Sequence, residues 1–388
     1  MNRLVMASMG YVVALAAVFW LVPPAEASYG VVAPMMAAAA LMLFFGPYLL
    51  VAGCTTGFLP SVYALWGLAA IVPFYIAHVA FIAVMSRKTS LWRRIGRRGE
   101  SVRKAVVALF AVMSALGVWY ELPKVTKYDL PAAAAKVPAD GVRLAVVTDL
   151  HSCRYAAGQR ALVEAVLAQS PDAVFLVGDI FDDRLPDDDA RAFVAAVVKD
   201  FPCFYVFGNH EHWSERTHEM RDFLESSGVT VLSGATSTIF VRDTAIDICG
   251  VDDPTYMAGF AWLAQLSGVE ASANPAHLKL LLSHRGEYGA EYAKTGFDFV
   301  FSGHLHGGQW TIPLLGLGLC GPTSGGPGTN ERMFLLPRVG GAYPLDNGKT
   351  TLVVSRGLAR ESTPLPRFFN HPELVVVNLR PQIDVENF

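Results

Sequence analysis

Hydrophobic positions fall into two regimes along the chain. Up to about residue 120 they form long unbroken runs, and beyond it they form short runs of about five separated by polar and glycine-rich stretches. Leu4–Val22, Val32–Gly53 and Val62–Met85 are each long enough to cross a hydrocarbon core, which takes about 20 apolar residues in a helix. Between Leu4 and Ser86 the single formally charged residue is Glu26. A fourth segment, Ala105–Tyr120, is shorter, and it ends on Trp119 and Tyr120 as interfacial anchors would. The pattern predicts a transmembrane helical region over 1–121, a bundle of about four spans, followed by a second domain over 122–388.

In that second domain the runs Leu144–Thr148, Ala173–Val177 and Cys203–Phe207 read as strands buried on both faces. Ala161–Gln169 and Ala190–Lys199, which lie between them, carry apolar residues at helical spacing. Strand and helix therefore alternate, which predicts βαβ units with functional groups at the carboxyl ends of strands. Leu278–Leu282, Phe297–Phe301, Thr350–Val354 and Leu374–Val377 continue the series. The patterning by itself supports an α/β domain.

Composition sharpens the division. The 388 residues are 53% hydrophobic, with a mean hydropathy of +0.36, more apolar than an ordinary globular enzyme. The loop 87–104 carries Arg87, Lys88, Arg93, Arg94, Arg97, Arg98, Arg103 and Lys104 against Glu100, and such a loop stays cytoplasmic. If the fourth segment spans, the second domain is placed outside the cytoplasm, in a multi-pass protein of a bacterial inner or cell membrane. The alternative of a cleaved signal peptide over Met1–Ala27 would put the basic loop on the wrong side. A net charge of −3 excludes a strongly basic nucleic-acid binder. The five cysteines, Cys54, Cys153, Cys203, Cys249 and Cys320, form no zinc-ribbon spacing, and buried free thiols are expected.

The chemistry concentrates where these short runs end. Asp149-Leu150-His151, Gly178-Asp179, Gly208-Asn209-His210-Glu211, His284 and Gly303-His304-Leu305-His306 supply carboxylate, amide and imidazole groups, each beside a strand-like run. That is donor capacity for two metal ions. Two cations about 3.5–4 Å apart can orient a phosphoryl group and stabilise both the entering and the leaving oxygen, so the layout is that of a two-metal hydrolase. A lone Asp-x-His or His-x-His is common on ordinary loops. Five such blocks, in order, at successive strand ends have no competing structural explanation.

In order and type these blocks resemble the calcineurin-like metallophosphoesterases. The resemblance covers roughly Arg143 to Leu379 and includes Gly250–Pro254, Gly307-Gly308-Gln309 and Val354–Gly357, blocks similar to those of a membrane-associated bacterial branch. It departs at Ser283-His284-Arg285-Gly286, where many relatives carry a proline two residues after the histidine. The resemblance implies a four-layer αββα sandwich behind the transmembrane bundle. It further implies that Asp149, His151 and His306 bind one metal and Asn209, His284 and His304 the other, with Asp179 bridging. His210 is implied to be catalytic, stabilising phosphoryl oxygens or protonating the leaving oxygen.

The expected function is a membrane-anchored hydrolase with two divalent ions, Mn, Fe or Zn. It would cleave a phosphodiester, pyrophosphate or phosphomonoester, a lipid-linked one included, by attack of a metal-bound hydroxide. One alternative is a pyrophosphatase acting on a UDP-diacylglucosamine-type substrate at the cytoplasmic face. Another, of a different class, is a non-catalytic membrane sensor or transporter module. No nucleic-acid partner is expected, and the sequence leaves the oligomeric state open.

Several neighbouring residues read as structural. Glu211, His212 and His218 are expected to line the rim or face solvent. Asp252 and Asp253 sit in a turn with Pro254, where aspartates cap backbone. Pro131–Ala135 reads as a linker or frayed helix, and the glycines from Gly316 to Gly328 as a loop after the last donors, either a lid or a plain connection.

Overall fold

The computed structural model describes residues 123–382, apart from 258, 310, 313–316, 324–331, 337, 361–366 and 368. All of these described residues lie in one compact unit, 116–362 together with 367–388. The strands are β1 (Lys124–Ala133), β2 (Val142–Val147), β3 (Ala173–Val177), β4 (Cys203–Val206), β5 (Thr230–Val231), β6 (Ala235–Val241), β7 (Thr244–Gly250), β8 (Leu278–Arg285), β9 (Phe299–Gly303), β10 (Thr311–Ile312), β11 (Leu317–Thr323), β12 (Arg332–Leu336), β13 (Gly341–Pro344), β14 (Thr351–Val354) and β15 (Glu373–Gln382). The helices are α1 (Arg160–Leu167), α2 (Asp188–Val197), α3 (Asn209–Trp213), α4 (Thr217–Ser226), α5 (Gly259–Ser272) and α6 (Gly289–Tyr292).

Two six-stranded sheets carry the fold, in the orders β1-β15-β2-β3-β4-β5 and β13-β14-β9-β8-β7-β6. The central strands β2 to β5 run parallel, as do β7, β8, β9 and β14. Parallel neighbours require crossover connections, so both faces of each sheet are covered and the strands read as continuous apolar runs. Alternate residues then serve two cores. Leu144, Val146, Phe175 and Val177 of the first sheet meet Ile248, Leu280, Leu282 and Phe301 of the second. The Phe175 and Phe301 rings lie 5.2 Å apart across this interface. On the outer face of the first sheet Ala145, Val147, Val174 and Leu176 pack against Leu162 of α1, Phe193 of α2 and Leu224 of α4. On the outer face of the second, Cys249, Leu281, Val300 and Val354 pack against Trp262, Leu266 and Val269 of α5. Helix, sheet, sheet, helix is the expected αββα order.

The expected transmembrane bundle is corrected. Among the described residues no helix is long and apolar enough to cross a membrane. The longest, α5, has 14 residues against the about 20 that a span requires. The segments 4–22, 32–53, 62–85 and 105–120, and the boundary at residue 121, lie outside the described residues. The multi-pass membrane location and the extracytoplasmic placement fall with that finding.

Two smaller expectations change as well. Pro131–Ala133 is not linker but the end of β1, paired in parallel with Arg380, Pro381 and Gln382 at the tail of β15, and Ala134–Lys136 follows as one 3-10 turn. An available strand partner outweighs alanine's helical preference. In the glycine-rich stretch Gly318 and Gly321 belong to β11, which joins β10 and β12 in a separate three-stranded sheet. Cys153, Cys203 and Cys249 are buried, Cys203 and Cys249 as free thiols, and burial pushes the Cys203 thiol up to about 12.

Candidate metal centre

Five strands deliver the candidate donors to one end of the sandwich. Asp149 and His151 follow β2, Asp179 follows β3 and Asn209 follows β4, while His284 sits near the end of β8 and His304 and His306 follow β9. All seven side chains are buried, His306 the least so at 9% exposed. Burying four imidazoles against two carboxylates is costly unless something pairs them.

The distances bring them together around Asp179. His284 Nε2 lies 3.0 Å and His151 Nε2 3.6 Å from Asp179 Oδ2, and His284 Nε2 is 3.9 Å from Asp149 Oδ1. His306 Nε2 is 3.5 Å from Asp149 Oδ1, and the His304 backbone N–H donates to the same carboxylate at 2.9 Å. Among the described residues three groups of side chains have donor atoms within 4.8 Å of one another; one, His151, Asp182 and His210, adjoins the two that make up the cluster, which are Asp149, His151, Asp179 and His306, and Asp179, His284 and His304. Asp179 belongs to both of the latter. Asn209 opens α3, on which the next residue's N–H donates to Asp179 Oδ1, and its own Oδ1 is buried and unmatched.

Whether these residues fit metal ions is tested by their unmatched atoms. His151 Nε2, Asn209 Oδ1, His304 Nδ1 and His306 Nδ1 are buried with no hydrogen-bond partner, while His284 Nε2 and Asp179 Oδ2 meet at 3.0 Å. Orphaned buried polar atoms are rare, because each costs about 1–3 kcal/mol. Four of them in one cluster, all of types that bind divalent cations, fit such a group.

Backbone geometry agrees. Asp149, His151, Asp179, His304 and His306 all have φ between 47° and 67°, in the left-handed region that few residues besides glycine adopt, Asn, Asp and His being the commonest exceptions. Such strain persists only where the surroundings impose it, and it gathers at functional sites. The glycines beside them make the close approach possible: a Cβ on Gly178, itself at φ +76°, would collide with the His284 ring, and one on Gly303 with the Asp149 carboxylate.

The electrostatics show how much positive charge this cluster draws in. Burial disfavours the charged form of His151, yet the Asp182 hydrogen bond and Asp179 outweigh it and lift the imidazole to about 9. His284 rises to about 10 for the same reason, with Asp179 and Asp149 overcoming burial. Asp149 is pushed up by burial and by Asp179, whereas His304 and His306 are held neutral by burial.

His210 stands apart from the orphaned set. Its Nδ1 is 2.7 Å from Asp183 Oδ1, its ring meets His151 edge-on at 4.3 Å, and Trp213 lies 4.7 Å away. Its side chain is 24% exposed, so it is the candidate site residue most open to a ligand.

The residues around the donors were mostly missed in the sequence. Glu211, expected at the rim, is fully buried and braces the site. It accepts from the backbone N–H groups of Gly208, Asp179, Ile180 and Phe181 and from the Tyr205 hydroxyl. Burial and the nearby Asp179 lift its carboxyl to about 7. Its position three residues after Gly208 is the capping-box spacing, a signal that was available. Asp182 accepts from His151 Nδ1 at 2.9 Å, and no spacing rule pointed to it. Asp253 caps its turn as expected, accepting from the Thr255 N–H at 2.9 Å, and beyond that forms a two-pronged buried pair with Arg285 at 2.6 and 3.0 Å. His212 stacks on Tyr256 at 4.0 Å instead of facing solvent.

A buried cluster of oxygen and nitrogen donors at one end of a two-sheet sandwich fits a metal-dependent hydrolase. Residues 142–308 match the calcineurin-like phosphoesterase family, which supports a metal-dependent hydrolase of phosphate esters. It is 26% identical over 310 residues to an uncharacterized metallophosphoesterase of Campylobacter jejuni, covering 77% of this chain and 74% of that one. To the phosphodiesterase YaeI of Escherichia coli it is 28% identical, over 55% of this chain and 79% of the other. To the uncharacterized metallophosphoesterase YkuE of Bacillus subtilis it is 25% identical, over 62% and 80%. These matches do not single out a membrane-associated branch.

Proposed function

We propose that this protein is a phosphodiesterase or phosphomonoesterase working with two divalent ions, the first held by Asp149, His151 and His306, the second by Asn209, His284 and His304, and both by Asp179. The observation that carries the reading is the set of four buried, unmatched donor atoms contributed by both sheets, His151 Nε2, Asn209 Oδ1, His304 Nδ1 and His306 Nδ1. When bound, such ions activate water and offset the negative charge of the phosphoryl group. Their identity among Mn, Fe and Zn is left to measurement, since all three accept this donor mixture.

The chain's own groups supply the remainder. With Asp183 holding Nδ1, His210 presents its other ring nitrogen to the ligand side, where it steadies a phosphoryl oxygen or gives a proton to the departing one. Asp183 is matched to that task, because the His210 hydrogen bond outweighs burial and keeps its carboxyl below the usual range. The balance is one water consumed, one P–O bond formed to its oxygen and one P–O bond broken, with one of its protons delivered to the leaving oxygen and the other left on the phosphate product or the solvent.

Hydrolysis of a chromogenic phosphodiester by the Mn²⁺-loaded full chain, compared with Asp179→Asn, tests this. The expected loss is on the order of 10³-fold or more, as for removal of a group that acts on the transition-state charge. A metal-loaded protein inactive on every phosphoester tried would favour a sensor role.

A further inference from the structure

Few large apolar side chains among the described residues are exposed, and two of them, Trp213 at 56% and Tyr256 at 61%, stand at helix α3. Neither ring belongs to a core cluster, so each leaves apolar surface in water beside the site. Trp213 lies three residues after His210 and four after Asn209, which puts all three on one face of the helix. Its ring is 4.7 Å from that of His210.

Tyr256 reaches α3 from the second sheet. It lies in the connection between β7 and α5 and stacks on His212, the residue before Trp213, with the ring centroids 4.0 Å and the planes 10° apart. Its backbone N–H donates to the Asp253 carbonyl at 3.1 Å, and Asp253 clamps Arg285, whose Nη1 is 2.7 Å from His304 Nε2. Tyr256 is thereby tied to both halves of the site. His212 covers one face of its ring, and the opposite face is the one left open.

With one ring nitrogen on Asp183 at 2.7 Å, His210 offers the other to the phosphoryl group, so an ester group extending from phosphorus past that ring meets Trp213 first. Flat π faces pair with other rings, offset or edge-on, at about 4.5–7 Å between centroids. We propose that Trp213 and Tyr256 are specificity-determining residues that receive an aromatic ring on the leaving alcohol, so that the preferred substrates are phosphoesters of ring-bearing alcohols. This rests on the phosphoesterase reading above and on the part given there to His210.

The test compares phosphate esters of 2-phenylethanol, 2-cyclohexylethanol and ethanol, alcohols of similar acidity, so that leaving-group reactivity does not separate them. Each is offered to the Mn²⁺-loaded full chain as the monoester and as the methyl diester, and the alcohol released is measured. The kcat/KM for the phenyl ester is expected to exceed that for the cyclohexyl ester by about tenfold, the difference lying in KM. Trp213→Ala should bring this ratio to about one, Tyr256→Ala should lower it about threefold, and Trp213→Phe should keep most of it. Both side chains are more than half exposed, so these variants are expected to fold. Equal values for the phenyl and cyclohexyl esters in the unaltered chain overturn the inference, even where both exceed the ethyl ester, because the contact is then merely apolar. A fall in kcat shared by all three esters in Trp213→Ala, with the ratio unchanged, also overturns it and leaves Trp213 as a support of His210. Hydrolysis of the chromogenic diester with none of these esters cleaved overturns the inference alone; no hydrolysis of either kind overturns the phosphoesterase reading as well.

Discussion

The two sheets equip their ends of the site in opposite ways. The loops after β2, β3 and β4 bring both carboxylates and the amide, and they are braced by an anion: Glu211, buried, gathers four backbone N–H groups from the turns after β3 and β4. The ends of β8 and β9 bring only imidazoles, and they are braced by a cation, Arg285, clamped by Asp253. The first brace adds negative charge to a region that already holds it, and the carboxyl responds by rising to about 7. The second sets positive charge beside His304, whose imidazole burial and Arg285 hold neutral. One side of the cluster is thus braced by an anion and the other by a cation.

The strongest way to break this contrast is at Glu211. Glu211→Ala strands four buried N–H groups and the Tyr205 hydroxyl at about 1–3 kcal/mol each, so a loss of roughly 4 kcal/mol or more is expected. Urea unfolding should register it as a lower midpoint, and a change under about 1 kcal/mol would mean that water replaces the carboxylate.

Next comes His210→Ala, which should lower turnover by about 10²–10⁴-fold. Metal content measured by elemental analysis should stay nearly intact; an equal loss of metal would make His210 a ligand. Asp182→Asn tests the bracing of a single imidazole and should weaken ion binding about 10–100-fold, read by calorimetry with little change in unfolding.

The mildest probe is pH. In the ion-free protein His151 and His284 keep their protons up to about 9 and about 10, and an ion must displace them. Affinity for Mn²⁺ is therefore expected to tighten as pH rises from 6 toward about 9, with proton release visible as a dependence of the binding heat on the buffer. Affinity that is flat over that window would show these imidazoles to be already neutral.

Much of the frame was legible because it rests on short-range rules. Runs such as Val174 to Val177 are apolar at every position, and only a parallel strand covered on both faces uses such a run. The donors were legible because they stand directly after those runs. The supports were not, because each acts across a long stretch of chain. Asp182 meets His151 from 31 residues away, and Arg285 meets Asp253 from 32. An aspartate in a polar loop looks the same in sequence whether it caps a turn or neutralises a buried guanidinium. The β1 strand was missed for a related reason: Lys124–Ala133 is held by pairing with β15, almost 250 residues later. The membrane expectation came from apolar runs alone, and the described helices offer it no counterpart.

Because the donors are divided between two sheets, neither half of the chain owns the site. A fragment ending after β5 would hold Asp149, Asp179 and Asn209 but no His284 or His304, and the complementary fragment would hold the reverse. Reunited in one tube, such halves should regain activity only to the extent that the Phe175–Phe301 seam closes between them, which would make catalysis a gauge of reassembly.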